Sequence, residues 1–414
     1  MAQVDRSAID ARASAAPKRK RVQMMDVIAP EARSSLNDGP GYIKRAGRLG
    51  TQIGAASNEI ERRGELPTEI ISALIENGFF RLLQPQSLGG AELDPMSFVQ
   101  ILEEVARHNA SAAWCLGQNN GCSMTAAYLD PAVAKTIFGP PDGILAWGPG
   151  PATMERVPGG YRLTGTWSFA SGSHHATWLG AHVPEPDGSG AIRTLLFRKT
   201  SAEIKDTWRV VGLRGTGSDG YSVNDLFVPE EFTVLRGPEI RPREQGRLYY
   251  FTRGNLYASG YAGVTLGIAR GMLEDFIELA RHKVPRGAKS TLRENNVIQS
   301  QVAQAEAKLR SSRSFLLGTL DEMWDEAGRR GHFSRAQSVS LRLASTWAIH
   351  QARDVVSALY HAAGSTAIFD DNPFERRFRD MHTASQQSQG RPVHLETVGQ
   401  ILLGLEPQMA MFTF

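Results

Sequence analysis

Two cysteines in 414 residues, Cys115 and Cys122, are too few for a disulfide framework and lack the second pair that a structural zinc site needs. A reducing compartment, the cytoplasm, is therefore expected. Long apolar runs are missing as well: no uncharged stretch reaches the ~18 residues of a membrane span, so no membrane partner is expected. Charge of one sign is scarce, with 46 Lys and Arg against 43 Asp and Glu. A net +3 spread over this length gives no field to gather nucleic acid. The ten histidines include the pair His174-His175 but no helical ligand spacing, so no metal site is expected. No Gly-x-Ser-x-Gly elbow and no P-loop occur, which leaves a hydrolase or nucleotide triphosphatase without its machinery.

What is present reads as helical, then β, then helical. Residues 1–40 form a Ser/Ala/Asp-rich tail around the basic run Lys18-Arg19-Lys20-Arg21, expected to be disordered. No apolar core of a signal peptide follows it, so secretion is not expected. Over 41–141, Ile43, Ala46, Leu49, Ile53, Ala56 and Ile60 recur at spacings of three and four on one helix face. Pro67-Thr68 opens a second helix that stops at Gly78, Asp94-Pro95 caps a third, and Ser111 is expected to cap a fourth. Over 142–236, short alternating runs broken by Gly159-Gly160, Asp187-Gly188 and Gly190 indicate antiparallel strands. Over 237–414 the helical period returns, with stripes Val302, Ala305, Leu309, Leu316, Leu320, Met323 and Val339, Leu343, Trp347, long enough to pack as a bundle.

The stretch Gly215-Thr-Gly-Ser-Asp-Gly220 imitates a dinucleotide fingerprint. That fingerprint needs a helix behind its glycines, whereas Tyr221–Leu226 alternates like a strand, so a Rossmann domain is excluded. Cys115 and Cys122 lie seven apart on one helix face, where small buried hydrophobes are commoner than nucleophiles. An aromatic and hydroxyl cluster stands out: Trp147, then Trp167-Ser-Phe-Ala-Ser-Gly172. It could wall a flat polycyclic cofactor, with the Ser171 hydroxyl donating to a ring nitrogen or a peroxide oxygen; equally, tryptophans of a β-domain are ordinarily core.

These segments, together with Leu83–Gly90, Val210–Ser218, Leu226–Glu230 and Arg377-Phe-Arg-Asp380, resemble the acyl-CoA dehydrogenase superfamily. Gly165–Gly172 and Gly212–Ser218 are similar to the branch of two-component flavin monooxygenases, the hydroxyphenylacetate, hydroxy-seco-steroid and dibenzothiophene oxygenases. The stretch Gln389–Gly404 is similar to the indole and indole-acetate oxygenases of that branch. The resemblance implies an α+β fold: an N-terminal helical domain, a middle antiparallel β-barrel and a C-terminal four-helix bundle, assembled as a homotetramer. It implies reduced FMN or FAD supplied by a separate flavin reductase, O2, and a small aromatic substrate oxygenated through a flavin hydroperoxide. Carried over by position, Trp114, Trp147 and Ser171 lie against the flavin ring. Arg286 reaches a neighbouring subunit's flavin phosphate, and Gly364, Ser365 and Gln387 complete the cofactor site. Ser171 and His382 are the catalytic candidates.

A dehydrogenase of this fold needs a carboxylate to remove a carbon-bound proton. At one family position the chain offers Gln387, Ser388 and Gln389, and no acid occurs from Phe251 to Gly271 around the other. Phenol-hydroxylating relatives carry histidines where Cys122 and Gln387 stand, so an electron-rich ring that needs no deprotonation, such as an indole, or a heteroatom substrate is expected. A flavin dehydrogenase or oxidase on a non-thioester substrate, and a non-catalytic scaffold, are the alternatives.

Overall fold

The computed structural model describes residues 38–185, 191–237 and 240–407. The basic tail and the expected turn at Asp187-Gly188 and Gly190 lie outside these residues. Six helices come first: α1 (Gly39–Ala55), α2 (Ser57–Arg63), α3 (Thr68–Glu76), α4 (Pro95–His108), α5 (Ala110–Ser123) and α6 (Pro131–Phe138). Local chemistry explains their ends. The Asp94 carboxylate accepts from the Ser97 amide at 2.8 Å ahead of Pro95, and Gly78 takes the left-handed backbone (φ 76°) just past α3. Two expectations change. The Ile43–Ile60 stripe is divided between α1 and α2 at Ala56, and α5 is capped by Asn109, not Ser111. Asn109 wins because its Oδ1 accepts from the Ala112 amide while its Nδ2 donates to Ser57 on α2, which buries Ser111 inside the first turn.

The strands follow: β1 (Leu145–Ala146), β2 (Ala152–Val157), β3 (Gly160–Trp167), β4 (Trp178–Pro184), β5 (Ile192–Arg198), β6 (Glu203–Lys205), β7 (Gly220–Pro229) and β8 (Thr233–Arg236). They form two four-stranded sheets, ordered β1-β4-β5-β8 and β2-β3-β7-β6, rather than one closed antiparallel barrel. After Trp167 the chain leaves one sheet and joins the other, so β3 bonds to β2 and β7 while β4 bonds to β5 and, in parallel, to β1. The sheets meet through Trp167, Tyr221 and Phe197, and the Tyr221 hydroxyl donates to the Gly180 carbonyl of the opposite sheet at 2.5 Å. Tyr221–Leu226 lies in β7, as its alternation indicates.

The last third holds α7 (Arg253–His282), α8 (Asn296–Arg330), α9 (Arg335–Ala363), α10 (Phe374–Ala384) and α11 (Val393–Leu402). α7, α8 and α9 form the long core of the bundle, and the short α10 packs on α7 and α9. On α9 the buried face runs through Leu341, Ala344, Ala348 and Ala352, so Trp347 is 43% exposed. Of the Val339–Trp347 stripe only Val339 is buried, and Arg342, one residue past Leu341, is buried as well and donates to Gln389 at 2.6 Å. α4 lies along α7 at very short range because α7 presents glycine there. A Cβ on Gly267 would sit 2.1 Å from the Glu103 carbonyl oxygen.

Candidate active site

The candidate centre is a hydrogen-bond chain that joins α5 to the two loops flanking β7 and β3. Trp114 of α5 donates its indole N–H to Ser171 Oγ at 3.1 Å; Ser171 and Ser218 hydroxyls are 2.6 Å apart, as are those of Ser218 and Thr216. Thr216 Oγ1 donates to the Leu213 carbonyl at 2.8 Å. A carbonyl only accepts, so the Thr216 proton is committed, Ser218 must donate to Thr216, and Ser171 must donate to Ser218. In this arrangement Ser171 has its proton on Ser218 and one lone pair on the Trp114 N–H, which leaves its other lone pair for a ligand. The Leu213 carbonyl also receives the Trp208 indole N–H at 3.0 Å, while the Leu213 amide donates to Asp380 Oδ1 at 2.6 Å. Burial pushes the Asp380 carboxyl up to about 6.

The aromatic wall is more extensive than the sequence suggests. Trp114 stacks on Tyr261 of α7 (4.1 Å between centroids), and Tyr261 lies parallel to Tyr257, one helical turn away. The Tyr261 hydroxyl donates to Gln118 Oε1 at 2.7 Å; Gln118 Nε2 donates to the Trp147 carbonyl at 3.1 Å. Trp114, Gln118 and Cys122 are spaced by four, so one face of α5 supplies all three. Burial pushes both tyrosine phenols up and the Cys122 thiol up to about 12, with Cys122 Sγ 3.6 Å from the Tyr257 hydroxyl. Cys115, equally buried, is pushed up to about 12 and touches the Thr216 carbonyl. Neither cysteine is a thiolate nucleophile.

Phe169, two residues before Ser171, is held at φ +57° and is 63% exposed, its edge against Trp208. A bulky side chain in the left-handed region is strained, and such strain gathers at functional sites. An exposed aromatic face beside a hydroxyl acceptor, with stacked aromatics behind it, fits a flat ring system bearing an N–H, such as a reduced isoalloxazine.

Other expected residues fall elsewhere. Trp147 belongs to a small satellite core with Trp178 and Phe138, and reaches the centre only through its backbone carbonyl. His382 lines a groove with His174, Trp208 and Asp219. Ser357 Oγ gives its proton to the Arg353 carbonyl, so His382 Nε2–H donates to Ser357 at 3.1 Å; burial lowers the pKa of that imidazole and favours its neutral form. Gln387 Oε1 caps the Gln389 amide at 2.6 Å. Arg286 is exposed just past α7, and Gly364 and Ser365 are exposed at the end of α9. Those two ends meet, because Lys283 donates to the Ala363 carbonyl and to Thr366, yet among the described residues they share no hydrogen bond with the Ser171 chain. Sequence reasoning missed Gln118, Tyr257 and Tyr261, whereas Phe169 stands within the aromatic and hydroxyl cluster that the sequence singles out. The i, i+4 spacings of Trp114–Gln118 and Tyr257–Tyr261 were the available signal for the first three.

Models of the acyl-CoA dehydrogenase N-terminal domain and C-terminal domain match residues 49–134 and 259–390. The chain is 28% identical over 378 residues to an indole-3-acetate monooxygenase of Pseudomonas putida, covering 90% of this chain and 96% of the relative. It is 28% identical over 381 residues to the oxygenase component of an FADH2-dependent resorcinol hydroxylase of a Rhizobium species, covering 86% and 92%. Among solved structures, the 3-HSA hydroxylase of Rhodococcus sp. RHA1 superposes with a TM-score of 0.84 at 24% identity, over 91% of this chain and 100% of that one. The chain belongs to the acyl-CoA dehydrogenase superfamily and, within it, to the branch of oxygenase components of two-component flavin-dependent monooxygenases.

Proposed function

We propose that this oxygenase inserts one atom of O2 into an aromatic or heteroaromatic small molecule, an indole-like ring foremost, using reduced FMN or FAD handed over by a separate reductase. Bound reduced flavin would supply the electrons that activate O2. The chain's own residues bind and orient: Ser171 accepts from a ring N–H, Phe169 and Trp114 bound the ring, and Trp147 supports that wall through its carbonyl, which holds Gln118. Arg286, Gly364, Ser365 and Gln387 complete the cofactor site, Arg286 across a subunit boundary, and His382 serves as a neutral polar contact. The working form is a cytoplasmic homotetramer. Its protomer divides into a helical domain over 41–141, a β-domain over 142–236 and a helical domain over 237–414.

The observation that carries this reading is the fixed direction of the Trp114–Ser171–Ser218–Thr216 chain, which leaves an acceptor at Ser171. An indole is favoured because Cys122 is held as a neutral thiol and the amide of Gln387 takes no proton, so neither activates a phenol. Positions 387–389 hold two amides and a hydroxyl, which argues against a proton-abstracting dehydrogenase. Mixing the protein anaerobically with reduced FMN or FAD, then with O2 and indole, tests the reading. Oxygenated indole is expected. Stoichiometric hydrogen peroxide with every ring offered, or bleaching of oxidised flavin by a substrate in the absence of O2, would overturn it.

A further inference from the structure

The adjacent histidines of the β-domain, His174 and His175, stand in opposite surroundings. His175 Nε2 lies 3.0 Å from Asn119 Oδ1; Asn119 Nδ2 donates to the Leu145 carbonyl, so Oδ1 is an acceptor and the ring gives it a proton. Burial pushes that imidazole down to about 3, so one proton is all it carries. His174 meets a carboxylate at each ring nitrogen: Nδ1 is 2.6 Å from Glu65 Oε2 and Nε2 is 2.7 Å from Asp219 Oδ2. A carboxylate has no proton to give and a neutral imidazole has only one, yet each of the two lines needs its own. An imidazole is more basic than a carboxylate, which places both protons on the ring.

The neighbouring groups agree with an imidazolium. Burial opposes ionisation of Glu65, but the bonds from His174 and from Arg63, 3.1 Å away, hold its carboxyl below the ordinary range. Asp219 Oδ1 accepts the backbone amides of Thr207 at 2.6 Å and Trp208 at 2.8 Å, which leaves Oδ2 for the ring. Lys199 donates to the His174 carbonyl at 2.5 Å rather than to the ring. Three segments meet here: Glu65 lies in the turn between α2 and α3, Asp219 in the loop that enters β7, and His174 in the turn after β3. Asp219 holds the 206–208 segment by its carboxylate and the Ala170 amide by its carbonyl at 3.1 Å, so it fixes both Trp208 and the stretch that carries Phe169 and Ser171. Trp208 meets the Phe169 ring edge to face, 5.9 Å between centroids, and donates to the same Leu213 carbonyl that receives the Thr216 proton. Without the second proton on His174, two carboxylates face one another across a ring that can bond only one of them.

We infer that His174, carrying a proton on each ring nitrogen, is a positioning residue: through Asp219 it locks Trp208 against Phe169 and so sets one wall of the candidate centre. Its effect on flavin rests on the proposed cofactor site; its effect on Trp208 does not. In the full-length protein with isotope-labelled histidine, one ring at neutral pH should show protons on both nitrogens, and that signature should vanish in His174→Gln. With fluorotryptophan incorporated, the fluorine resonance lost in Trp208→Phe identifies Trp208. That resonance should move in His174→Gln, whose amide donates along one line only, and return toward the parent position in His174→Arg, whose planar guanidinium donates along both. Raising the pH until the ring gives up its second proton should carry the parent's Trp208 resonance toward that of His174→Gln and leave the variant's own in place. Reduced FMN or FAD, whichever binds the parent more tightly, should bind His174→Gln about fivefold or more weakly, and His174→Arg within about twofold of the parent. A singly protonated His174 ring at neutral pH, a Trp208 resonance that His174→Gln leaves unmoved, or an arginine variant no nearer the parent than the glutamine one would overturn the proposal. If Trp208 moves as expected while flavin affinity stays the same, His174 positions the loop as inferred and the placing of the flavin against Phe169 falls.

Discussion

Ser171 owes its role to a neighbour's proton. Because Thr216 is committed to the Leu213 carbonyl, each hydroxyl upstream is oriented in turn, and Ser171 is left with a lone pair that, in the proposed role, would accept from the ligand. Ser171→Ala removes that acceptor and leaves the Trp114 N–H unpaired. We expect the ratio of oxygenated product to hydrogen peroxide to fall by about tenfold or more, in line with loss of one buried polar contact of about 1–3 kcal/mol; an unchanged ratio would remove Ser171 from the reaction. Phe169 makes a complementary case. Its left-handed backbone costs roughly 1–2 kcal/mol over glycine while its exposed ring buries little, so Phe169→Gly should hold or raise stability in chemical denaturation. The same variant should bind reduced flavin more weakly, and unchanged affinity would show that the ring is no wall of the site. The sequence reveals Ser171 through its motif, but not which way its proton points. That direction is set by a bond from Thr216 to Leu213, residues 42 positions or more further along the chain.

At the scale of elements, locally determined features were readable and long-range ones were not. Asp94 before Pro95 and Gly78 after α3 act within one turn, and both stand where the pattern places them. Ser111 and Asn109 are both good caps two residues apart; the choice is made by the Asn109–Ser57 hydrogen bond, a tertiary contact. Alternation identifies strands without their partners, so it indicated antiparallel strands over 142–236; the single barrel was implied by the family resemblance, and the strands form two sheets instead. The close crossing of α4 and α7 yields a prediction of its own. Gly267→Ala gains about 1 kcal/mol of helix propensity but drives a methyl to within 2.1 Å of the Glu103 carbonyl, and displacing α4 costs about 1–3 kcal/mol. We expect a net loss of up to about 2 kcal/mol by urea denaturation; a gain in stability would mean that the two helices separate freely.

For the whole molecule, Asp380 links the bundle to the candidate centre, and its ionisation should be felt in global stability. Its carboxyl is raised from 3.8 to about 6 by burial, so the folded state holds this proton more tightly than the unfolded chain does. The resulting stabilisation is complete below about pH 4 and is lost as pH climbs through about 6, on the order of 3 kcal/mol. Asn in its place is neutral at every pH. The melting temperature of Asp380→Asn relative to the parent should therefore improve steadily between pH 4 and pH 7; a constant offset would mean that Asp380 does not titrate in this range.

The hydroxyl series that starts at Trp114 ends on a peptide oxygen. An indole nitrogen at one terminus and an amide carbonyl at the other can neither take up nor pass on a hydrogen ion, so the series is an insulator rather than a wire. Polarity reaches Ser171 from the bundle; solvent protons do not arrive by that route.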